Sequence, residues 1–422
     1  MTISQVAPWL NESRWPTVPI RFLARLGTGH TPSRQKPEYW EECDIPWITL
    51  ADVWRLRDGK TYSISDTKEK ISKVGLANSA AVQHPAGTVI LSRTASVGFS
   101  AIMGTDMATS QDFATWTCGQ SLNPRYLLHA LRAMAPDLKR IAAGSTHKTI
   151  YMPDIEQLRI PLPSIAEQRR IADFLDTETA RINALENARS TQIELLAAYE
   201  QSMLDEVFRD LKSGSATQLK HLFAVRSRYG VLVPQFVEGG VPFIRVNDLQ
   251  DLEGRADQLR TIPPELSSQY ARTVVRPGDL LVSVVGTLGR AAIAPDRLAG
   301  ANIARAVCSV RVAPNVEVEL VQAWLRTTAF QNQALVATST DTAQPTLGME
   351  DLGNFHLVWP SDPTERQQLL IRIASVQESL TRLRERLARQ RTVLAERRQA
   401  LITAAVTGQI DVSTASGRGV GS

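Results

Sequence analysis

The sequence predicts an α+β protein: two mixed α/β domains alternate with two long helices that form an antiparallel coiled coil, and the whole is a pseudo-two-fold internal repeat. Three observations predict this fold. Short sequence blocks recur in one order, each half begins with a Gly- and Pro-rich part made of short β-like runs, and each half ends in a long stretch with heptad spacing. A length of 422 residues agrees with two or three domains.

The two halves of the chain repeat each other in sequence. Pro46 and Pro242 begin similar blocks 196 residues apart, and the remaining blocks follow in the same order at nearly the same offset. The matching blocks are 46–53 with 242–249, 85–92 with 276–283, 96–98 with 287–289, and 150–154 with 347–351. One conserved order at nearly one offset is hard to obtain by chance, so we infer a duplicated module.

Each half divides into the same two parts. Residues 17–163 and 216–360 contain short alternating runs of β-branched residues, which predict mixed α/β domains. Residues 164–212 and 361–411 are rich in Leu, Ala, Glu, Arg and Gln, which predicts a proximal and a distal long helix. The Ser- and Gly-rich tail, 413–422, is predicted to be disordered.

Both predicted helices carry a heptad seam with alternating spacings of four and three residues. The seam residues expected to hold the two helices together are Leu175, Ile182, Leu185, Leu196, Ile373, Leu380, Leu387 and Leu394. Flush antiparallel packing of the two helices would set Glu186 near Arg391. The alternative is that each helix lies on its own β-rich domain.

Composition limits the class of protein. The chain has no run of about 20 apolar residues, and its N-terminus lacks the basic start and apolar stretch of a signal peptide, so we expect a soluble cytoplasmic protein. Cys43, Cys118 and Cys308 stand far apart, which predicts reduced, buried thiols and no metal site. A net charge of +4 permits a polyanionic partner.

Catalytic motifs are missing from the sequence. We find no phosphate-binding loop, no Rossmann fingerprint, no G-x-S-x-G, no H-E-x-x-H, and none of the Asn/Asp-Pro-Pro-Tyr pockets that amino-methyltransferases use. Residues 66–70 could be forced into a nuclease-like set of carboxylates and lysines, although such a run is usually a solvated surface. The chain is therefore predicted to be non-catalytic.

Short loops rich in Arg, Ser, Thr, Asn and Gln favour DNA binding instead. Arg and Lys engage guanine edges or phosphate, Asn and Gln engage adenine, and Ser and Thr engage either bases or phosphate. The predicted DNA-reading residues are Arg93, Thr94, Ser96, Gln111 and Lys148 in the first half, and Thr287, Arg290, Asn302 and Arg305 in the second.

Three stretches of the chain resemble the specificity subunits of type I restriction-modification systems. Gly29-His-Thr-Pro-Ser33 leads to Ile45-Pro-Trp-Ile-Thr49, residues 161–175 resemble the entry to that family's central helix, and residues 397–411 resemble the end of its distal helix. The resemblance covers residues 17–411, and the second half departs most, with Arg226-Ser-Arg-Tyr-Gly-Val231 in place of the Gly-His-Thr-Pro-Ser motif.

The resemblance implies two target-recognition domains that read a bipartite target in double-stranded DNA. It also implies two modification subunits that use S-adenosylmethionine and restriction subunits that use ATP and Mg²⁺, with no cofactor in this chain. Two alternatives remain open at this point. One is the specificity half of a single-chain restriction enzyme, and the other is a structural coiled-coil adaptor that does not read DNA.

Overall fold

The β-branched runs of each half form strands and the Leu- and Ala-rich stretches form helices, as a computed structural model shows. It describes residues 8–142, 148–338 and 345–412. The tail predicted to be disordered, 413–422, lies outside the described residues.

The chain divides into two compact units, each built around one globular part. The first unit comprises residues 1–190 and 388–422, and the second comprises residues 191–387. Each unit therefore contains a segment of both long helices, because the helices run over Ile165–Arg209 and Pro363–Thr407. The predicted pair of long helices is confirmed.

The described residues of the first unit form three small sheets. Its strands are β1 Thr17–Pro19, β2 Ala24–Thr28, β3 Ile45–Ile48, β4 Ser63–Ile64, β5 Glu69–Ile71, β6 Gln83–His84, β7 Val89–Ser92, β8 Ser100–Met103, β9 Met107–Thr109, β10 Phe113–Cys118 and β11 Arg159–Pro161. The sheet orders are β2-β10-β7-β8-β4, β5-β3-β9-β6 and β1-β11. Strands β3 and β9 pair in parallel, with Ile48 opposite Thr109.

Among the described residues of this unit, four short α-helices accompany these strands, and one long helix follows them. They are α1 Lys73–Ala77, α2 Pro124–Ala133, α3 Ala135–Ile141, α4 Met152–Glu156 and the proximal helix α5 Ile165–Arg209. Helix α2 begins where the Asn123 side chain accepts hydrogen bonds from the backbone N–H groups of Arg125 and Tyr126. Pro124 at the first helical position reinforces this start.

The second unit repeats these sheets with fewer edge strands. Its strands are β12 Gly214–Gln218, β13 Phe223–Tyr229, β14 Val241–Ile244, β15 Arg260–Ile262, β16 Leu280–Ser283, β17 Ala291–Ile293, β18 Asn302–Ile303, β19 Val307–Val312 and β20 His356–Pro360. The sheet orders are β13-β19-β16-β17, β15-β14-β18 and β12-β20. Its helices are α6 Pro264–Gln269, α7 Val318–Trp324, α8 Thr328–Ala337, α9 Met349–Asn354 and the distal helix α10 Pro363–Thr407.

The internal repeat is confirmed strand by strand. Order β2-β10-β7-β8 in the first unit matches β13-β19-β16-β17 in the second, and β5-β3-β9 matches β15-β14-β18. The parallel pair β3–β9 has its counterpart in β14–β18, where Ile244 lies opposite Ile303. Two units that share sheet order, strand direction and register are copies of one fold.

Each unit has a glycine at an equivalent position, where the backbone of a neighbouring strand leaves no room for a side chain. A Cβ atom on Gly29 would lie 1.8 Å from the carbonyl oxygen of Thr109, and one on Gly230 would lie 1.9 Å from that of Ile303. The backbone N–H groups of the next residues, His30 and Val231, donate to these same carbonyls. Gly230 is therefore the counterpart of Gly29, although the surrounding sequences differ.

The hydrophobic core of each unit includes residues from both long helices. In the first unit Ile171 and Leu175 of the proximal helix share a core with Ile402 and Val406 of the distal helix, together with Trp116 of β10. In the second unit the corresponding core contains Met203, Leu204 and Val207 of the proximal helix with Ile373 of the distal helix. Each helix thus packs both on β-rich domains and on the other helix. The sequence analysis had treated these two kinds of packing as alternatives, and the structure contains both.

The seam between the helices differs from the predicted seam at one of the eight predicted residues. Leu175, Ile182, Ile373, Leu380 and Leu387 are buried. Leu196 and Leu394 are half-buried. Leu185 is 47% exposed, so its placement in the seam was wrong.

Buried polar residues explain the misplaced seam position. The proximal helix buries Thr179, Glu186 and Glu200 where the prediction placed neighbouring residues such as Leu185. Counting apolar residues favours Leu185 over Glu186, because a buried carboxylate violates the simple heptad pattern unless it is paired. The carboxylates of Glu186 and Glu200 are paired with arginines of the distal helix.

The same ion pairs correct the predicted helix register. Glu186 accepts hydrogen bonds from Arg398, with Nη2 to Oε1 at 3.0 Å, rather than from Arg391. Arg398 lies one heptad beyond Arg391. In the second unit, Arg384 Nη2 lies 2.7 Å from Glu200 Oε2. Both pairs require antiparallel helices.

A buried histidine links α2 to the proximal helix in the first unit. His129 is fully buried, and its Nε2 lies 2.7 Å from Asp176 Oδ1. Burial lowers the pKa of His129 in spite of this carboxylate, because a charged ring is costly away from water. Burial would raise the pKa of Asp176, but hydrogen bonds from His129 and Arg125 outweigh it and lower that pKa.

Ala95 in the first unit and Gly286 in the second give a stability prediction. Both lie in the left-handed region, with φ of 56° and 75°. Because this conformation costs an L-residue about 1–2 kcal/mol, we expect Ala95→Gly to raise the free energy of unfolding by up to about 1 kcal/mol after the added freedom of the unfolded chain is subtracted. Gly286→Ala should lower it by about 1 kcal/mol. Urea unfolding measures both.

The control for this comparison is Ala86→Gly, at an exposed alanine without a positive φ. That substitution should lower the free energy of unfolding, because it only loosens the unfolded chain. A loss of stability in Ala95→Gly of the same size would contradict the strain at Ala95.

The buried histidines predict acid sensitivity near neutral pH. Burial lowers the pKa of His84 and of His129 below 6.5, so the unfolded chain takes up protons that the folded chain does not. The free energy of unfolding should therefore fall as pH drops from about 7.5 to 5.5, with His129 contributing up to about 1.4 kcal/mol per pH unit below its unfolded pKa. Unfolding curves at several pH values measure this slope.

His129→Gln should flatten the pH dependence relative to the unmodified chain. His356→Gln is the matched control, because His356 is exposed in the second unit. An unchanged slope in His129→Gln would show that another group carries the acid sensitivity.

Candidate nucleic-acid interface

Four loops of the first unit meet where β2, β7, β9 and β10 end or begin. The loop after β2 contacts the loop after β9, since His30 N–H donates to Thr109 O at 3.1 Å. The loop after β7 contacts the segment before α4, since Ile150 N–H donates to Arg93 O at 2.8 Å and Ala95 N–H donates to Lys148 O at 2.8 Å. The loops that the sequence singled out are thus brought together.

Arg93 holds this loop cluster together from within. Its Nε donates to the carbonyl of Gln111 at 3.0 Å, and its Nη1 donates to the carbonyl of Ile150 at 3.2 Å. Its own N–H donates to Asp112 O at 2.9 Å. Since two of its side-chain nitrogens bind main-chain carbonyls of two other loops, Arg93 positions neighbouring loops.

Gln111 is an exposed side chain with one end already fixed. Thr31 Oγ1 donates to Gln111 Oε1 at 2.7 Å. The amide nitrogen of Gln111 is then directed away from this hydrogen bond and available to donate. A side chain held in this way loses less conformational freedom on binding, which favours recognition of a base edge.

The remaining predicted residues of the first unit lie on the same cluster. Thr94 forms an isolated antiparallel bridge with Thr149. Ser96 accepts a weak hydrogen bond from Arg57, at 3.4 Å. Lys148 is exposed and brings a positive charge to the cluster.

The second unit builds the same loop framework from different residues. Val231 N–H donates to Ile303 O at 2.8 Å, and Gly286 N–H donates to Pro345 O at 3.0 Å. Val285 bridges Thr346 as Thr94 bridges Thr149 in the first unit. The backbone hydrogen bonds between the loops are equivalent in the two units, but the side chains differ. Each unit can therefore present its own recognition groups on the same loop framework.

The predicted residues of the second unit separate into two groups. Arg305 is exposed, and its backbone N–H donates to Val231 O at 2.9 Å, which places it on the loop cluster. Thr287 and Arg290 instead line a cavity of about 310 Å³. That cavity also contains Arg326 and Arg384.

Asn302 does not belong to the interface, which corrects the prediction. It lies in β18 opposite Phe243 and is fully buried. Neither atom of its side-chain amide has a hydrogen-bond partner within the described residues. The corresponding strand residue of the first unit is Ala108, opposite Trp47. The polar residue type suggested a DNA contact, but in β18, which pairs with β14, the side chain is fully buried.

Apolar and aromatic side chains in these loops were missed by the sequence analysis. In the second unit Leu232 and Val233 follow Gly230 and are 55% and 69% exposed. In the first unit Tyr151 is 59% exposed beside Ile150. Alignment on Gly29 and Gly230 would have found Leu232, since it occupies the place of Thr31. Apolar side chains of this kind contact the thymine methyl group.

In residues 8–142, 148–338 and 345–412, no group of His, Cys, Asp and Glu is placed to hold a metal ion, and no helix is long and apolar enough to cross a membrane. The Asp66–Lys70 pair is a surface contact at 4.0 Å.

The three thiols are free, but only one is fully buried. Burial raises the pKa of Cys118 and of Cys308 to about 12. Cys43 and Cys118 are half-buried, unlike the expectation for all three. Thiols with raised pKa values are poor nucleophiles near neutral pH.

Known proteins are similar to this chain in sequence. Residues 12–195 match the family model described as the type I restriction modification DNA specificity domain. The chain is 30% identical over 280 residues to the type I restriction enzyme EcoBI specificity subunit of Escherichia coli, covering 59% of this chain and 58% of that protein. It is 27% identical to the MjaIX specificity subunit of Methanocaldococcus jannaschii, covering 56% of this chain and 58% of that protein.

The fold also matches a solved structure over nearly the whole chain. A chain of a type I restriction-modification system, solved in a study of complex assembly and conformational transition, superposes with a TM-score of 0.65 at 18% identity. The match covers 94% of this chain and 98% of that chain. The alignments to the two curated relatives span less than two thirds of their length, so the likeness in fold carries the comparison further than the likeness in sequence does. The resemblance seen in the sequence is thereby confirmed: residues 12–195 match the DNA specificity domain of type I restriction-modification systems.

Proposed function

We propose that this chain is the DNA-recognition specificity subunit of a type I restriction-modification complex, a non-catalytic protein that reads a bipartite target with two recognition domains. One observation carries the proposal. The same framework of loop-to-loop backbone bonds occurs in both units, while the side chains mounted on it differ. A duplicated framework with divergent side chains is suited to reading two different half-sites.

The proposed DNA-reading set combines residues of the two loop clusters with Thr287 and Arg290, which line the cavity of the second unit. In the first unit it comprises Arg93, Thr94, Ser96, Gln111 and Lys148, with Arg93 in a positioning role. In the second it comprises Thr287, Arg290 and Arg305, joined by the exposed Leu232 and Val233. Asn302 is removed from the set because it is buried.

The proposed complex supplies the chemistry that this chain lacks. Two modification subunits would bind S-adenosylmethionine and methylate adenine, and restriction subunits would use ATP and Mg²⁺. This chain would direct them to double-stranded DNA in the cytoplasm. The target-recognition domains are proposed to be residues 17–163 and 216–360, joined by the helices of 164–212 and 361–411.

A structural adaptor that does not read DNA is less well supported. Such a protein would need the long helices, but it would have no use for an exposed glutamine held by Thr31 or for matching loop clusters in both units. A gel-shift assay with random and selected DNA separates the two functions.

The first functional prediction is that the two units read their half-sites independently. Gln111→Ala should relax base preference in one half-site only, and Arg305→Ala in the other, because each residue lies on one loop cluster. Loss of a base contact should reduce discrimination by about 1–3 kcal/mol, or on the order of 10- to 100-fold. Methylation of a randomised target library by the assembled methyltransferase measures both preferences.

Three further variants complete this test. Arg93→Ala should weaken the first half-site by releasing two loops, and Arg290→Ala should affect only the second. Arg382→Ala is the control, since Arg382 pairs with Glu378 on the exposed surface of the distal helix. A single substitution in one loop cluster that alters both half-sites would contradict independent reading.

The second functional prediction uses the helices as a spacer. Deleting residues 187–193 together with 391–397 removes one heptad from each helix and preserves both Glu–Arg pairs. This shortens each helix by about 10.5 Å, at about 1.5 Å per residue. At about 3.4 Å per base pair, the gap between the half-sites should shrink by roughly three base pairs, and the shorter helices also require a rotation of roughly 100° about the DNA.

Methylome sequencing of cells that express the deletion variant measures this gap. We expect either loss of methylation at the native target or a target with a shorter gap and unchanged half-sites. Deletion of 187–193 alone is the control, because it breaks the register of the helix pair and should abolish methylation. Methylation at the original spacing in the double deletion would reject the spacer role.

A further inference from the structure

Among the described residues, each unit contains a buried ion pair between the proximal and distal helices, and both pairs have the same polarity. In the first unit the proximal helix supplies the acid, Glu186, and the distal helix supplies the base, Arg398. In the second unit the proximal helix again supplies the acid, Glu200, and the distal helix the base, Arg384. All buried carboxylates of these pairs therefore belong to one helix and all their arginines to the other.

The two pairs occupy equivalent places in the repeat. Glu186 and Arg384 lie 198 residues apart, and so do Glu200 and Arg398. Leu175 and Ile373, which pack in the two cores, share this offset. The repeat therefore places an acid on the proximal helix wherever it places a base on the distal helix.

The two carboxylates are withdrawn from water, and their arginines are partly so. The side chains of Glu186 and Glu200 are 10% and 5% exposed, and those of Arg398 and Arg384 are 17% and 32% exposed. A buried pair that loses one partner is strongly destabilised, because the remaining charge stays desolvated without compensation. The seam therefore discriminates between partners by charge as well as by shape.

Because Arg384 is equivalent to Glu186 and Arg398 to Glu200, the contacts between two distal helices paired in the native register can be inferred. Arg384 of one copy would lie against Arg398 of the second copy, at both ends of the seam. Arg326, which binds Glu200 in the native fold, would lie beside them. Neither Glu186 nor Glu200 would be present, because both belong to the proximal helix.

Two proximal helices would meet a milder conflict. Glu186 would face Glu200 of the second copy, but Lys60 lies 3.3 Å from Glu186 and would remain to compensate. Arg132 lines a cavity of about 250 Å³ together with Arg398 and would also lie near the second glutamate. The conflict is therefore greatest for the distal helix.

We propose that Arg384 and Arg398 restrict the distal helix to one partner, the proximal helix, and exclude a second copy of the distal helix. The proposal rests on the helix seam and is independent of DNA reading. The face of the distal helix that carries Arg384 and Arg398 therefore requires a partner helix with a carboxylate opposite each arginine.

The test starts from the folded full-length chain with a protease site inserted between Asp210 and Leu211. Cleavage leaves a proximal half, 1–210, and a distal half, 211–422, in their native association. Isotope-labelled and unlabelled cleaved proteins are mixed in mild denaturant until their labels have exchanged completely, so that pairing is at equilibrium. Native mass spectrometry then counts each kind of dimer.

The decisive variant makes the distal helix complementary to itself while it retains native pairing. Glu186→Arg with Arg398→Glu reverses the first pair, and Lys60→Gln removes the base beside it. A distal half carrying Arg398→Glu then offers Arg384 and Arg326 the acid that Glu200 offers them in the native fold.

We expect proximal–distal dimers without distal–distal dimers from the unmodified cleaved chain. The triple variant should increase the distal–distal fraction on the order of 100-fold, since like charges in contact cost several kcal/mol. Glu378→Arg with Arg382→Glu is the matched control, a charge reversal on the exposed face of the distal helix, and should give no distal–distal dimers. Equal distal–distal fractions in the unmodified chain and the triple variant would overturn the proposal, whatever their size.

Discussion

The constraint on which the structure depends is that neither β-rich domain completes its core alone. The core of the first unit takes Ile171 from the proximal helix and Val406 from near the C-terminal end of the distal helix. Small sheets of two to five strands bury too little apolar area by themselves, and helix segments on one face supply the rest. The distal helix must therefore extend from the second unit into the first.

This constraint also fixes the direction of the helices. A distal helix that begins in the second unit and completes the core of the first has to run antiparallel to the proximal helix, which begins in the first. The buried Glu–Arg pairs add register to direction, because a shift by one heptad would leave charges desolvated. Apolar packing sets the affinity of the helices for each other, and the ion pairs select one alignment.

Much of the fold could be predicted from the sequence, because duplication and heptad spacing are properties of residue patterns. The register could not, since a rule that counts apolar residues favours Leu185 over Glu186 when the arginine that compensates Glu186 lies 212 residues away. Asn302 was misplaced for a related reason. Its residue type suits a base contact, but Asn302 lies in β18, paired with β14, and its side chain is fully buried, which residue type alone does not indicate.

The loop cluster shows which part of a recognition surface is constrained and which part is free. Gly29 and Gly230 cannot carry a side chain, because the carbonyl of the neighbouring strand occupies the place of a Cβ atom. Thr31 and Leu232, two positions after these glycines, carry different side chains. Thr31 holds the exposed side chain of Gln111, whereas Leu232 exposes an apolar surface. A framework held by backbone hydrogen bonds therefore tolerates changes in its recognition groups without loss of the fold, and the two copies have diverged at the positions where the framework leaves side chains free.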